Sequence, residues 1–178
     1  MNLIELQNKT HKQNVEMGWW DTERSFHTLT NLGISEISEA VEAHRKNLND
    51  DKLTKYHGTP VEAVDGAIRT FDVLSWLGNE SFDPSDFTIR VIRTKGKEID
   101  FLMAFSSYLL SSAWESYELF GNRAKTKQYL RDALFVMFEI VYQYGLTPIT
   151  LINEKLEFNK IRPDHKQENR AKEGGKKY

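Results

Sequence analysis

Ile34-Ser35-Glu36-Ile37-Ser38-Glu39-Ala40-Val41-Glu42-Ala43 and Glu62-Ala63-Val64-Asp65 are the two stretches that decide the fold. Each carries a pair of carboxylates three residues apart, and positions i and i+3 of an α-helix lie on one face. Two such helices packed antiparallel bring Glu36, Glu39, Glu62 and Asp65 to one small volume. Like charges at contact distance repel and raise one another's pKa, so the cluster needs a divalent cation. The spacing predicts an all-α protein with a hard-metal site between two helices.

The flanking residues place these acids. A helix is predicted from Glu23 to Leu48, with an apolar stripe of Phe26, Leu29, Ile37, Ala40, Val41 and Ala43. At about 100° per residue, Glu36 falls inside that stripe and Glu39 at its edge. Glu42 lies on the polar face with Ser38 and Arg45. A carboxylate aimed at the core requires a cation, a protonation shift or hydrogen-bond donors. The next helix starts at Thr59-Pro60-Val61-Glu62, a capping-box pattern with proline in the first turn, so capping is a second reading of Glu62. Asp65 has no such role, being a poor helix-interior residue. Arg69, Asp72 and Trp76 follow Asp65 on one face, beside the apolar arc of Val64, Ala67, Ile68 and Phe71.

Composition sets the outer bounds. The 178 residues suffice for one domain with a full core. A net charge of -2 gives no electrostatic reason for a nucleic-acid or membrane partner. With no cysteine, disulfides and thiolate metal sites are excluded. No apolar run reaches membrane-spanning length, and Glu5 and Gln7 stand where a signal peptide is apolar. A soluble, cytoplasmic protein is expected.

The remaining chain reads as helices too. Residues 2–17 form an amphipathic first helix through Leu3, Leu6, Thr10, Gln13 and Met17, linked onward by Gly18-Trp19-Trp20-Asp21. The adjacent tryptophans either lid the core or stack on a ligand. After a connection over 77–96, in which Phe87 to Ile92 reads as a short extended piece, helices are predicted over 97–120, 125–144 and 147–160. The tail from Pro163 is polar and lysine-rich, and a mobile segment is expected there. This makes a bundle of five to six helices on an antiparallel four-helix core, within one domain over 1–162. Val61 to Gly78 aligns without gaps on Gln128 to Gly145, setting Asp65 on Asp132, Phe71 on Phe138 and Gly78 on Gly145. Either a duplicated helix hairpin, its second copy inside 79–145 serving as a packing partner, or a coincidence of helical periodicity accounts for this.

Four carboxylates without histidine or cysteine select Mg²⁺ or Mn²⁺. The di-iron alternative in helix bundles needs Glu-x-x-His, which neither acidic pair supplies. Mg²⁺ on carboxylates commonly works on a phosphate substrate. Lys155, Asn159 and Arg162 share one face of the last helix and suit a polyphosphate.

Together, Gly18-Trp19-Trp20, the Ile34–Ala43 stretch, Glu62-Ala-Val-Asp65 with Asp72, Lys155-Leu-Glu-Phe158-Asn159-Lys-Ile-Arg162-Pro163 and the final Gly175-Lys176-Lys177-Tyr178 resemble the MazG-like group of the all-α NTP pyrophosphatase superfamily. That superfamily includes dimeric dUTPases and dCTP pyrophosphatases. The likeness spans 1–76 and 150–178, with 79–145 as a helical insertion. It implies Mg²⁺-dependent hydrolysis of a nucleoside triphosphate, a deoxynucleotide or a non-standard one, to monophosphate and pyrophosphate, in a homo-oligomer such as a dimer. By the same resemblance, Glu36, Glu39, Glu62 and Asp65 are the metal ligands. Lys155, Asn159 and Arg162, with Arg69, hold the substrate. Trp19 or Trp20, with Phe26 or His27, faces the base, and Asp72 orients a ligand or Arg69. Water attacks the α-phosphorus in line while a cluster carboxylate takes its proton. Two other readings stand beside this one: a dUTPase or dCTPase that also accepts diphosphates, and a catalytically silent metal-binding interaction protein.

Overall fold

The structure, a computed structural model, describes residues 2–78 and 93–162. The extended piece expected at Phe87–Ile92 and the tail from Pro163 lie outside the described residues. Among these residues six helices follow in order: α1 Leu3–Glu16, α2 Phe26–Lys46, α3 Gly58–Trp76, α4 Ile99–Glu118, α5 Arg123–Gln143 and α6 Pro148–Ile161. Among the described residues there is no strand, only one isolated bridge between Asn49 and His57. The all-α expectation holds.

Local chemistry fixes the helix ends. Asn2 and Glu5 form a reciprocal capping box on α1 at 2.9 Å each way. Asn47 closes α2 in the left-handed conformation (φ 50°) after a last turn of His44, Arg45 and Lys46 that complements the helix dipole. Pro148 starts α6, where its missing N–H costs nothing. The start of α3 differs from the sequence pattern. Its cap is His57, whose Nδ1 accepts the Thr59 N–H at 3.1 Å, and the Thr59 hydroxyl donates instead to Ala40 O on α2. Thr59 is fully buried at the α2–α3 seam. Its side chain therefore serves packing, and the capping role is removed from Glu62.

α2 packs on α3 and α4, and α5 packs on the same two helices, so these four close a ring. Ile37, Ala40, Val64, Phe71, Leu109, Leu134 and Met137 are buried inside it. The two hairpins meet at their equivalent positions: the Phe71 and Phe138 rings stand 6.1 Å apart. Both hairpins end in a positive-φ glycine, Gly78 and Gly145. α1 and α6 flank α3 from outside the ring. No single helix among the described residues is long and apolar enough to cross a membrane.

α3 is the axis of the molecule, and its burial pattern places the site. Every residue from Gly58 to Leu74 is buried except Glu62, Asp65 and Arg69. These three fall at i, i+3 and i+7, one narrow strip. Glycine lets α2 come close enough to share that strip. A Cβ at Gly58 would meet Ala43 Cβ at 2.8 Å, and one at Gly66 would meet Ile37 Cδ1 at 3.3 Å. Gly58→Ala is expected to cost about 1–3 kcal/mol through overpacking, read as a lower thermal midpoint with an unchanged helical circular-dichroism spectrum.

Candidate metal centre

The acids of α2 and α3 do meet. One carboxylate oxygen from each of Glu36, Glu62 and Asp65 lies within 4.8 Å of the others. The Glu36 side chain is 12% exposed and that of Asp65 18%. Glu39 stands apart. It is exposed on α2 and lines the mouth of the same cleft without joining the close trio. The difference follows from its place at the edge of the α2 stripe.

Two cations pair with members of the trio. Arg69 Nε donates to Glu36 Oε1 at 3.2 Å, and its guanidinium lies 5.8 Å from the centre of the Trp19 ring. Lys155 comes from α6 and sets Nζ 2.8 Å from Asp65 Oδ2, with its side chain 2% exposed. Burial draws the Lys155 pKa down, but Asp65, Asp50 and Glu62 outweigh it and leave it raised. The carboxylates remain under-compensated. Burial, then the charge of Asp65, pushes Glu62 up to about 8 against the opposing pull of Lys155. Glu36 is raised by burial and by Asp65, with Arg69 working against both.

This environment fits a hard divalent ion. All donors are oxygens. In a six-coordinate site with ligands at about 2.1 Å, neighbouring oxygens lie about 3.0 Å apart and opposite ones about 4.2 Å, so a bound ion would draw the three side chains closer together. A cation there would also supply the positive charge that the raised Glu62 lacks.

The cleft around the trio has a cavity volume of about 150 Å³. Asn14, Trp19, Glu39, Asp50, Lys52, Ile68, Arg69, Lys155, Asn159 and Arg162 complete its wall. All three residues of the α6 strip thus reach the site. Asn159 Oδ1 is buried without a hydrogen-bond partner among the described residues, which leaves it an acceptor to offer.

Several expected residues sit elsewhere. His27 lines a separate hollow with Ile34 and Trp114 between α2 and α4, 3.8 Å from Glu118. Nine residues separate it from Glu36, or about 180° around the helix, so it cannot face the same cleft. Phe26 is buried and stacks on Tyr117 at 4.2 Å. Trp20 lids the core, stacked on Trp76 at 6.0 Å. Only Trp19 of the aromatic candidates lines the cleft, and it is 5% exposed. Asp72 reaches neither Arg69 nor the trio. It accepts from His11 Nδ1 at 2.6 Å, Asn14 Nδ2 at 2.8 Å and Trp20 Nε1 at 3.0 Å. It acts on the cleft only by holding Asn14.

The sequence reading missed Asp50, Lys52 and Asn14. Asp50 lies in the polar loop between α2 and α3, yet is 5% exposed. Its Oδ1 accepts the N–H groups of Lys52 and Leu53, an Asx turn that folds the loop over the cleft. The only signal was the loop's aspartates, Asp50 and Asp51.

No protein-family model, no curated protein and no solved structure matches this chain.

Proposed function

We propose that the protein is a Mg²⁺-dependent nucleoside triphosphate pyrophosphohydrolase, releasing monophosphate and pyrophosphate. One observation carries the reading. A trio of close carboxylates shares a single cleft with a strip of cations and amides from another helix. Acids alone suit a cation, and cations alone suit an anion. Side by side they suit a cation and a polyphosphate bound together. The order of motifs along the chain, resembling the MazG-like group, supports the same reading. Mn²⁺ is an alternative ion.

In this mechanism Glu36, Glu62 and Asp65 hold the cation, with Glu39 at the mouth of the cleft. When bound, the cation supplies charge neutralisation to the phosphate oxygens and lowers the pKa of the attacking water. Arg69 holds Glu36, and in the cation-free protein Lys155 pairs with Asp65. Arg162 and Asn159 bind and orient the outer phosphates, with Lys52 beside them. Water adds to the α-phosphorus as the bond to the bridging oxygen breaks. A carboxylate of the cluster takes the water's proton, and pyrophosphate leaves. Among the described residues Trp19 and Ile68 are the apolar part of the cleft wall, so they are where a base or sugar would rest.

The test is pyrophosphate release from a panel of ordinary and modified (d)NTPs with Mg²⁺, repeated with EDTA. Release from one or a few nucleotides that stops in EDTA is the expected outcome. No release by folded protein carrying Mg²⁺ would refute the enzyme reading. Glu39→Gln separates the mouth of the cleft from its floor. Because Glu39 is exposed, the variant should unfold within about 2 °C of the native protein. Its turnover should nevertheless fall, by about tenfold or more, which activity assays and thermal melts measure together.

A further inference from the structure

We propose that Asp50 is a positioning residue, the carboxylate that receives the Lys155 ammonium when a divalent cation takes Asp65. The inference rests on the reading of the acidic trio as a cation site. It starts from a conflict of demand in the structure. Asp65 belongs to the trio and is also the contact partner of Lys155 at 2.8 Å. One carboxylate cannot serve a dication and an ammonium at full strength. Lys155 cannot retreat to solvent either, because its side chain is 2% exposed and its helix neighbours Leu151, Ile152 and Leu156 are buried. A buried ammonium stripped of its anion is strongly disfavoured. A second anion within reach is therefore required.

Asp50 meets that requirement. It lines the same cleft as Lys155 and is 5% exposed. Its charge acts on Lys155 next after that of Asp65. Both of its hydrogen bonds go to Oδ1, from the backbone of the loop, so Oδ2 remains to be used. The ammonium has three N–H donors, so it can exchange one carboxylate for another that lines the same cleft. Asp50 thus frees Asp65 for the cation and keeps Lys155 in the cleft, where an arriving phosphate would find it.

The test is a double-mutant cycle on Mn²⁺ affinity, measured by electron paramagnetic resonance without nucleotide. Asp50→Asn keeps the Oδ1 acceptor for the loop and removes the charge. It is expected to weaken Mn²⁺ binding about tenfold or more in the native background, but about threefold or less beside Lys155→Met. Lys155→Met alone is expected to bind Mn²⁺ at least as tightly as the native protein, since the competitor is gone. Equal effects of Asp50→Asn in both backgrounds, or weaker binding by Lys155→Met alone, would overturn the proposal, because a merely structural Asp50 changes thermal stability without coupling to Lys155. Absence of Mn²⁺ binding by the native protein would instead overturn the cation site beneath it.

Discussion

Glu62→Gln is expected to make the metal-free protein more stable at alkaline pH and, on the proposed function, to abolish pyrophosphate release. The second effect follows from the loss of a carboxylate of the trio, the first from the raised pKa of Glu62. Glu62 is held up to about 8 by burial and by Asp65, against 4.5 for the unperturbed group. The folded state therefore binds the proton more tightly than the unfolded state. The stability is fully present below about 4.5 and is lost as pH rises from there through about 8. At about 1.4 kcal/mol per pKa unit, the loss reaches a few kcal/mol, on the order of 10 °C in thermal midpoint for a chain of this size. Glutamine keeps the shape and never ionises, so melting curves of the variant at pH 8.5 should lie above those of the native protein and converge with them near pH 4.5. Mg²⁺ should raise the native midpoint at pH 8.5 and leave that of the variant nearly unchanged. A site that gains stability when its charge is removed is one where function is costing stability.

Asp72→Ala should be the most destabilising single change outside the apolar core. The carboxylate accepts from His11, Asn14 and Trp20 and so ties both α1 and the tryptophan link to α3. Its removal orphans three donors in a region where Asp72 is 6% exposed and Asn14 8%. At about 1.5–3 kcal/mol for each hydrogen bond to a charged group, less what water recovers, the loss should be about 3–5 kcal/mol. Hydrogen exchange should show α1 opening ahead of the four-helix ring. Asp72→Asn retains one acceptor oxygen and should lose about half as much. Its effect on turnover should come through Asn14, the member of this network that lines the cleft.

Asp65 and Asp72 show what the sequence could and could not convey. Asp65, Arg69 and Asp72 follow one another on a face of α3, and periodicity alone groups them. In the structure they serve three separate partners, because successive turns of α3 are covered by different elements: Lys155 of α6, Glu36 of α2, and α1 with its link. Helix phase reports direction but not which neighbour stands there. Phase did suffice where a stripe was continuous. It put Glu36 towards the core and Glu39 at the edge, and it aligned Lys155, Asn159 and Arg162, all of which reach the cleft. Applied to His27, the same angle would have placed it on the far side of α2 from Glu36. The six helices were readable within a few residues at each end, since caps, glycines and prolines mark them. Asp50 was not readable. A loop has no period, and its burial arises only when the Asx turn folds it over Lys155.

Mn²⁺ titration of the native protein and of Asp65→Asn at pH 8.5, followed by electron paramagnetic resonance, tests whether Glu36, Glu62 and Asp65 form one divalent-cation site. One tight site per chain in the native protein, weakened about a hundredfold or more in the variant while the helical circular-dichroism spectrum is kept, is the predicted result. Equal binding by the two proteins, or no binding by either, would contradict it.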